Sequence, residues 1–341
     1  MKLVTFSVQT VLGRITRLGA MTGDDTDPQR VIDLNHAYAW LLALQGEPQP
    51  QRLADAMLPG EILTFLSMGH GAMEAAREVC EELATHGATG EPLVGLEGAH
   101  LILPLNDVRL EAPVPMPTSY RDFFAFEQHV AVGYTIRQEP IPEAWYQMPV
   151  YYKGNPHSIV GPDVDVQWPS YTEKLDYELE LAVVIGRRGR NISKEKAHEY
   201  IAGYTILNDF SARDIQKEEM QCRLGPAKAK DFATGLGPWL VTPDEVGDAR
   251  NLRMTAKING EQFSDGNSGD ARWTFEDMIV HASKDEDLWP GDLLGSGTVG
   301  SGCSLEHRHW MKPGDTIELA IEKLGVLRHR VMKPVKLEVV S

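Results

Sequence analysis

The sequence predicts an α+β chain, mostly β, with a small N-terminal α/β domain ahead of a larger strand-rich one. Three observations carry this. The first 110 residues hold two alternating strands followed by helical patterns. From residue 118 onward, short apolar runs broken by Gly and Pro dominate. Between them Pro104, Pro113, Pro115 and Pro117 cluster in a connector that cannot continue either kind of element. The domains are drawn at 1–112 and 113–341.

The elements run in order. Residues 2–9 and 13–20 alternate apolar and polar side chains around Gly13, the pattern of two paired strands. After the polar loop GDDTDPQR come helical spacings in VIDLNHAYAWLLALQ, LADAM and EILTFLSMG, then in 71–87, which ends on Gly87. In the second segment KLDYELELAVVIG (174–186) is a strong strand, and 194–209 reads as a helix running into a strand. WLVTPDEV, RMTAKING and EQFSDG are strand and turn pieces, and 273–285 is a helix. DLLGSG and DTIELAIEKLGVLRHRVM are strands, each opened by a Pro-Gly-Asp turn.

Composition removes several classes of function. Of 341 residues, 42% are hydrophobic and 24% charged, ordinary globular usage that supplies a large core. No apolar run reaches the ~20 residues that span a bilayer, and the N-terminus has no apolar block of the signal-peptide kind. The balance of 33 basic against 49 acidic residues, −16, disfavours nucleic acid and anionic membranes as partners. Three cysteines (Cys80, Cys222, Cys303) form no framework and no CxxC pair, which points to a reducing cytoplasm.

Chemistry concentrates in a few segments. On a strand, Asp176, Glu178 and Glu180 face one way while Leu175, Tyr177, Leu179 and Leu181 face the other. Two carboxylates about 7 Å apart on one face suit a hard divalent cation. A lone ExE is more often a solvated strand face, but the tail AVVIG makes this strand central, and buried glutamates need partners. Asp209, closing the run YTILND, either completes such a site or, with Ser211, caps a helix containing ARDIQKEEM. In SYRDFFAFEQH, a helix would put Asp122 and His129 on one face, with the imidazole a candidate general base. GSGTVG (295–300) matches GxGxxG, yet the residues after it read as another strand start, so it is an active-site loop or a plain turn and not a dinucleotide fingerprint. His307 and His309 read as surface residues.

Together and in order, YRDF…H, LDYELELAVVIG, NDFSARDIQ, LGPAKAKDFATGLGPW, PGDLLGSGT and the late Glu306 resemble the fumarylacetoacetate hydrolase superfamily from about residue 118 to the C-terminus. The resemblance implies a mixed β-roll, a homodimer and a divalent metal, Mg²⁺ first with Mn²⁺ or Ca²⁺ as alternatives. By position it implies Asp122, Glu178, Glu180 and Asp209 as metal ligands, with Lys230 and Thr234 beside them. Arg213 and Gln216 resemble the family's substrate and oxyanion contacts, and Lys230 could hold a developing enolate. Tyr152, Thr298 and, with a one-residue offset, Arg137 resemble substrate contacts. Met220 stands where the fumarylacetoacetate enzyme has a Tyr.

His129 and Glu306 match the pair that activates water in the hydrolytic branch. The expectation is therefore a hydrolase that cleaves a C–C bond of a small anionic 2,4-diketo acid. The alternatives are a decarboxylase, hydratase or isomerase of a 2-keto acid on the same metal site, or a non-catalytic metal-binding homologue.

Overall fold

The structure is a computed structural model and describes residues 1–23, 29–86 and 93–334. Most of the polar loop expected at 23–30, and Gly87, lie outside these residues.

The N-terminal segment contains β1 (Lys2–Thr10), β2 (Gly13–Thr22), β3 (Arg30–Asp33), α1 (Leu34–Leu44), α2 (Pro50–Met57), α3 (Ile62–Ser67), α4 (His70–His86), β4 (Ile102–Pro104) and β5 (Arg109–Leu110). The remainder begins with β6 (Tyr120–Phe123), α5 (Glu127–Arg137), α6 (Glu143–Gln147), β7 (Tyr151–Lys153), β8 (Ile159–Val160), β9 (Asp165–Val166), β10 (Leu175–Asp176), β11 (Leu179–Ile185) and β12 (Ile201–Asn208). It continues with β13 (Ser211–Ala212), α7 (Arg213–Gln221), β14 (Thr234–Val241), α8 (Pro243–Val246), β15 (Arg253–Ile258), β16 (Glu261–Asn267) and α9 (Phe275–Ser283). β17 (Leu293–Gly295), α10 (Ser304–His307), β18 (Thr316–Ile321) and β19 (Gly325–Val331) close it.

The fold is α+β, mostly sheet. One large mixed sheet runs β4-β3-β2-β1-β14-β12-β11-β17-β6-β7, so strands from before and after the Pro-rich connector share one hydrogen-bonded surface. A second, five-stranded sheet runs β16-β15-β18-β19-β9. The main core joins the two. Leu179, Leu181, Val183 and Ile185 of β11 pack in one cluster with Met254, Ala256, Ile258, Ile317 and Leu319. On its other face β11 contributes Ala182 and Val184 to a core shared with Leu34, Leu41, Phe65, Val79 and Leu83 of the N-terminal helices. β11 is therefore buried on both faces, and carboxylates on it must be compensated by protein groups or ions. No helix among the described residues is long and apolar enough to cross a membrane.

Three local expectations change. Val31 and Ile32 are strand residues paired with β2, and Asp33 then caps α1 by accepting from the His36 N–H at 3.0 Å. Residues 120–123 are a strand because they pair in parallel with β17, Tyr120 opposite Leu293 and Asp122 opposite Gly295. The helix begins only at Glu127, so Asp122 and His129 do not share a helix face. After the Gly-rich loop the chain forms the short helix α10 and not a strand, since Asp176 captures the Ser304 and Leu305 N–H groups at 2.7 and 3.1 Å.

Candidate active site

The site lies where β6, β11, β12 and β17 end side by side, a consequence of the strand order. Asp122 comes from β6, Glu180 from the start of β11, and Asp209 directly follows β12. One carboxylate oxygen of each lies within 4.8 Å of the others, and all three residues are buried. Gly297 N–H donates to Glu180 Oε2 at 3.0 Å, and the Thr298 hydroxyl lies 3.4 Å from Glu180 Oε1. Tyr152 OH donates to Asp209 Oδ2 at 2.9 Å.

Three buried carboxylates facing one another repel. Burial, and then the charge of Asp209, push the Asp122 carboxyl well above its ordinary range. Glu180 is raised by burial and then by Asp122, and Asp209 is raised by burial against the pull of Lys230. Asp122 Oδ1 and Asp209 Oδ1 meet no hydrogen-bond donor among the described residues. Such a set fits a hard divalent cation, which prefers oxygen ligands at about 2.0–2.6 Å. The backbone leaves the space for the carboxylates: a Cβ on Gly295 would sit 2.3 Å from Asp122 Oδ1 and 3.0 Å from Glu180 Oε2.

The fourth expected ligand, Glu178, is set apart. Arg213 Nη2 donates to its Oε1 at 2.6 Å and Lys230 donates to its Oε2. Burial opposes its ionisation, but Arg213, then Lys230 and His129, outweigh that and hold it below the usual carboxylate range. Lys230 also donates to Asp209, so this ammonium bridges the carboxylate trio and Glu178. Gln216 Oε1 accepts from Arg213 Nη1 at 3.0 Å. Thr234, the first residue of β14, is buried.

His129, on the first turn of α5, is hydrogen-bonded through Nδ1 to Glu306 of α10, and its Nε2 is 3.6 Å from Glu178 Oε1. The expected pair thus forms, although its members are on different helices. Asp209 joins the carboxylate cluster and does not cap α7: the N-cap position of that helix is Ala212, and no side chain caps it.

Arg137 is not brought to the site. It ends α5, stacks on Tyr134 at 4.1 Å and faces Glu139 at 3.7 Å, with its side chain 43% exposed. Sequence reasoning misses two neighbours as site residues. Asp176, fully buried, accepts from Arg213 Nε at 2.8 Å as well as from the N-terminus of α10, and its period-two relation to Glu178 and Glu180 is the available signal. Cys303 Sγ lies 3.8 Å from His129 Nδ1, and nothing in its local sequence announces this.

The arrangement defines a class: a buried carboxylate cluster that fits a divalent cation, set beside an imidazole–carboxylate pair. The profile described as "Fumarylacetoacetate (FAA) hydrolase C-terminal" matches residues 118–332, and the chain belongs to the fumarylacetoacetate hydrolase family, a family of enzymes. Human mitochondrial oxaloacetate tautomerase FAHD2A is 32% identical over 287 residues, 82% of each chain. Oxaloacetate tautomerase YisK of Bacillus subtilis is 29% identical over 315 residues, 89% of this chain and 94% of that one. The fold is shared with maleylpyruvate hydrolase from Sphingobium sp. SYK-6 in complex with manganese(II) and pyruvate (TM-score 0.67, 23% identity, 98% of this chain and 100% of that one). It is shared too with 5-carboxymethyl-2-hydroxymuconate delta-isomerase from Mycobacterium smegmatis (TM-score 0.64, 23% identity, 97% and 99%).

These relatives overturn the expected C–C bond hydrolase. The tautomerases match along most of the chain and favour the isomerase alternative. The physical reason for the misreading is that the deciding motif does not discriminate. A carboxylate-held imidazole removes a proton from carbon as readily as it takes one from water, and the cation centre is common to both chemistries.

Proposed function

We propose that the protein interconverts the keto and enol forms of oxaloacetate, or of a closely similar 2-keto diacid, with Mg²⁺ at the Asp122–Glu180–Asp209 centre. The observation that carries this reading is the His129–Glu306 pair set beside that centre, in a chain 32% identical to an oxaloacetate tautomerase over 82% of both.

A divalent cation held by Asp122, Glu180 and Asp209 would supply positive charge that stabilises an enolate and so would make the C3 protons more acidic. The chain's residues do the rest. Glu306 accepts a hydrogen bond from His129 Nδ1–H, which leaves Nε2 as the basic nitrogen and stabilises the imidazolium formed when Nε2 takes a proton from C3. The same nitrogen returns its proton to the C2 oxygen, giving the enol, and the reverse order gives the ketone. One proton moves between two atoms of one substrate, and water is not consumed. Lys230 and Arg213, fixed against Glu178, bring positive charge to stabilise the enolate, and Arg213 also donates to Gln216 Oε1. Tyr152 and Thr298, anchored on Asp209 and Glu180, border the substrate.

The test is the ultraviolet decay of enol-oxaloacetate. The purified protein with Mg²⁺ should accelerate it, EDTA should remove the acceleration, and His129→Ala should abolish it while leaving cation binding intact. A decay rate no faster than buffer with Mg²⁺ alone would overturn the proposal.

A further inference from the structure

Neighbouring side chains on a strand point to opposite faces, and β11 uses both. Glu180 turns to the carboxylate trio, while Leu181 lines a cavity of about 300 Å³ on the other face of the large sheet. Tyr204 of β12 and Met278 of α9 line it too, and the loop 247–250 borders it. The reaction at the carboxylate trio makes no use of this space.

Three aromatic rings meet there: Tyr204, Trp273 and Phe275. The Tyr204 and Phe275 rings stand 6.1 Å apart at 69°, two walls of a corner. Trp273 is fixed by its indole N–H, which donates to the Trp145 carbonyl at 3.2 Å. Its ring already attracts one cation from outside the cavity, the Arg272 guanidinium at 5.5 Å. Asp248 and Glu276 complete the part of the lining that matters here. Burial, then the charges of Glu276 and Asp248, push the Tyr204 phenol up to about 12, so both carboxylates act on the space beside that ring. We propose that this cavity binds a small alkylated ammonium ion, with its apolar groups against Tyr204, Trp273 and Phe275 and its charge facing Glu276 and Asp248.

The lining selects this class of ligand. Aromatic faces attract a cation, and more strongly as water is excluded from the contact. A volume of about 300 Å³ lies at the small end of ligand sites, the scale of a single small molecule. Arg250 and His198 also border the cavity and would favour an anion. Arg250, however, is 73% exposed and lies 4.0 Å from Asp248, so solvent and that carboxylate screen its charge. His198 is exposed as well. The N-terminus of α9, another attraction for anions, is closed by the Thr274–Asp277 capping box. Glu276 has no ion-pair partner among the described residues, which leaves its charge to a ligand.

This binding is independent of the tautomerase reading. The test uses the full chain with Mg²⁺ in excess, so that the carboxylate trio does not compete for the probe. Choline is titrated by calorimetry and by saturation-transfer NMR. It is compared with its uncharged carbon isostere, in which a tert-butyl group replaces trimethylammonium, and with benzoate as the anion. Choline should bind at one site per chain, about tenfold more tightly than the isostere, and benzoate more weakly than both. Phe275→Leu keeps an apolar wall but removes a ring, and Glu276→Gln keeps the shape but removes the charge. Each should weaken choline binding severalfold and leave the isostere nearly unchanged. Glu276 is partly exposed on the first turn of α9, so its variant decides the matter if Phe275→Leu fails to fold. No choline binding, equal affinity for choline and the isostere, tighter binding of benzoate, or choline binding that survives Glu276→Gln unchanged would each overturn the site.

Discussion

Glu306→Gln is the substitution that most directly tests the proton-transfer pair. Glu306 is 7% exposed and bonded to His129 Nδ1, so the carboxylate has one tautomer to impose: proton on Nδ1, lone pair on Nε2. An amide of the same shape can turn its NH₂ toward Nδ1 and favour the opposite tautomer, with Nε2 carrying the proton and unable to act as a base. Losing a positioned general base costs about 10²–10⁴ in rate. That is about 2.7–5.4 kcal/mol of barrier at 1.36 kcal/mol per tenfold. The assay is enol-oxaloacetate decay followed by stopped flow at saturating Mg²⁺, with cation affinity measured by calorimetry on the same preparation. The expected outcome is a kcat loss in that range with cation affinity unchanged, because Glu306 does not touch the Asp122–Glu180–Asp209 centre. A rate within about threefold of the parent, well short of the general-base range, would refute the role given to the pair.

Gly295→Ala should weaken divalent-cation binding by about 10–100-fold, the scale for groups that set ligand positions, since its Cβ would lie 2.3 Å from Asp122 Oδ1; Mn²⁺ titration by electron paramagnetic resonance reads it directly, and unchanged affinity would contradict the cradle. Asp176→Asn should lower kcat about 10–100-fold by loosening both α10 and Arg213. An altered pH–rate profile would mark it as positioning, whereas lost thermal stability with an unchanged profile would show a purely structural role. The Asp122, Glu180 and Asp209 carboxyls are raised by burial, so in the metal-free protein their contribution to stability is full below about pH 4 and is lost as pH rises through the folded-state values. The rise in Tm on adding Mg²⁺ should therefore grow from about pH 5 to about pH 8, and a gain that shrinks with pH would reverse the sign of the argument. His329, fully buried on β19, has its pKa lowered by burial to about 4, so its neutral form contributes ~3 kcal/mol that is lost as pH falls from 6.5 through about 4. Urea unfolding of His329→Gln should show a flatter acid limb than the parent, and parallel curves would argue against the burial.

The legible parts of the fold are those whose pattern repeats locally. Alternation around Gly13 marks β1 and β2, and an amphipathic run marks α9, which opens on a capping box between Thr274 and Asp277. Tyr120–Phe123 is not legible, because its strand state comes from pairing with β17, some 170 residues away. α10 is hidden for a similar reason, since its N-terminus is held by Asp176 from a distant strand. In the site, Glu178 and Glu180 look equivalent in sequence. The structure separates them, because Arg213 and Lys230 reach Glu178 while Gly297 N–H and Asp122 reach Glu180. Arg137 shows the limit of positional likeness: its own helix and Tyr134 claim the guanidinium. The reaction type is least legible, because proton removal from carbon and from water calls for the same imidazole and carboxylate.

The place of β1 in the large sheet has a practical consequence for handling the protein. Residues 118–332 carry the family match, and a natural shortened version would start there. Yet β1 is an interior strand, paired with β2 along its length and with β14 through Lys2 and Leu3. Trimming to the family boundary would cut the sheet in the middle and uncover the apolar flank of Leu207, Leu236 and Leu240, which the N-terminal residues cover. Such a fragment would present a raw strand edge next to bare leucines, a recipe for inclusion bodies. Expression work should keep the first strand, and any split-protein or fusion scheme should place its joint in a surface turn and not at the Pro-rich connector.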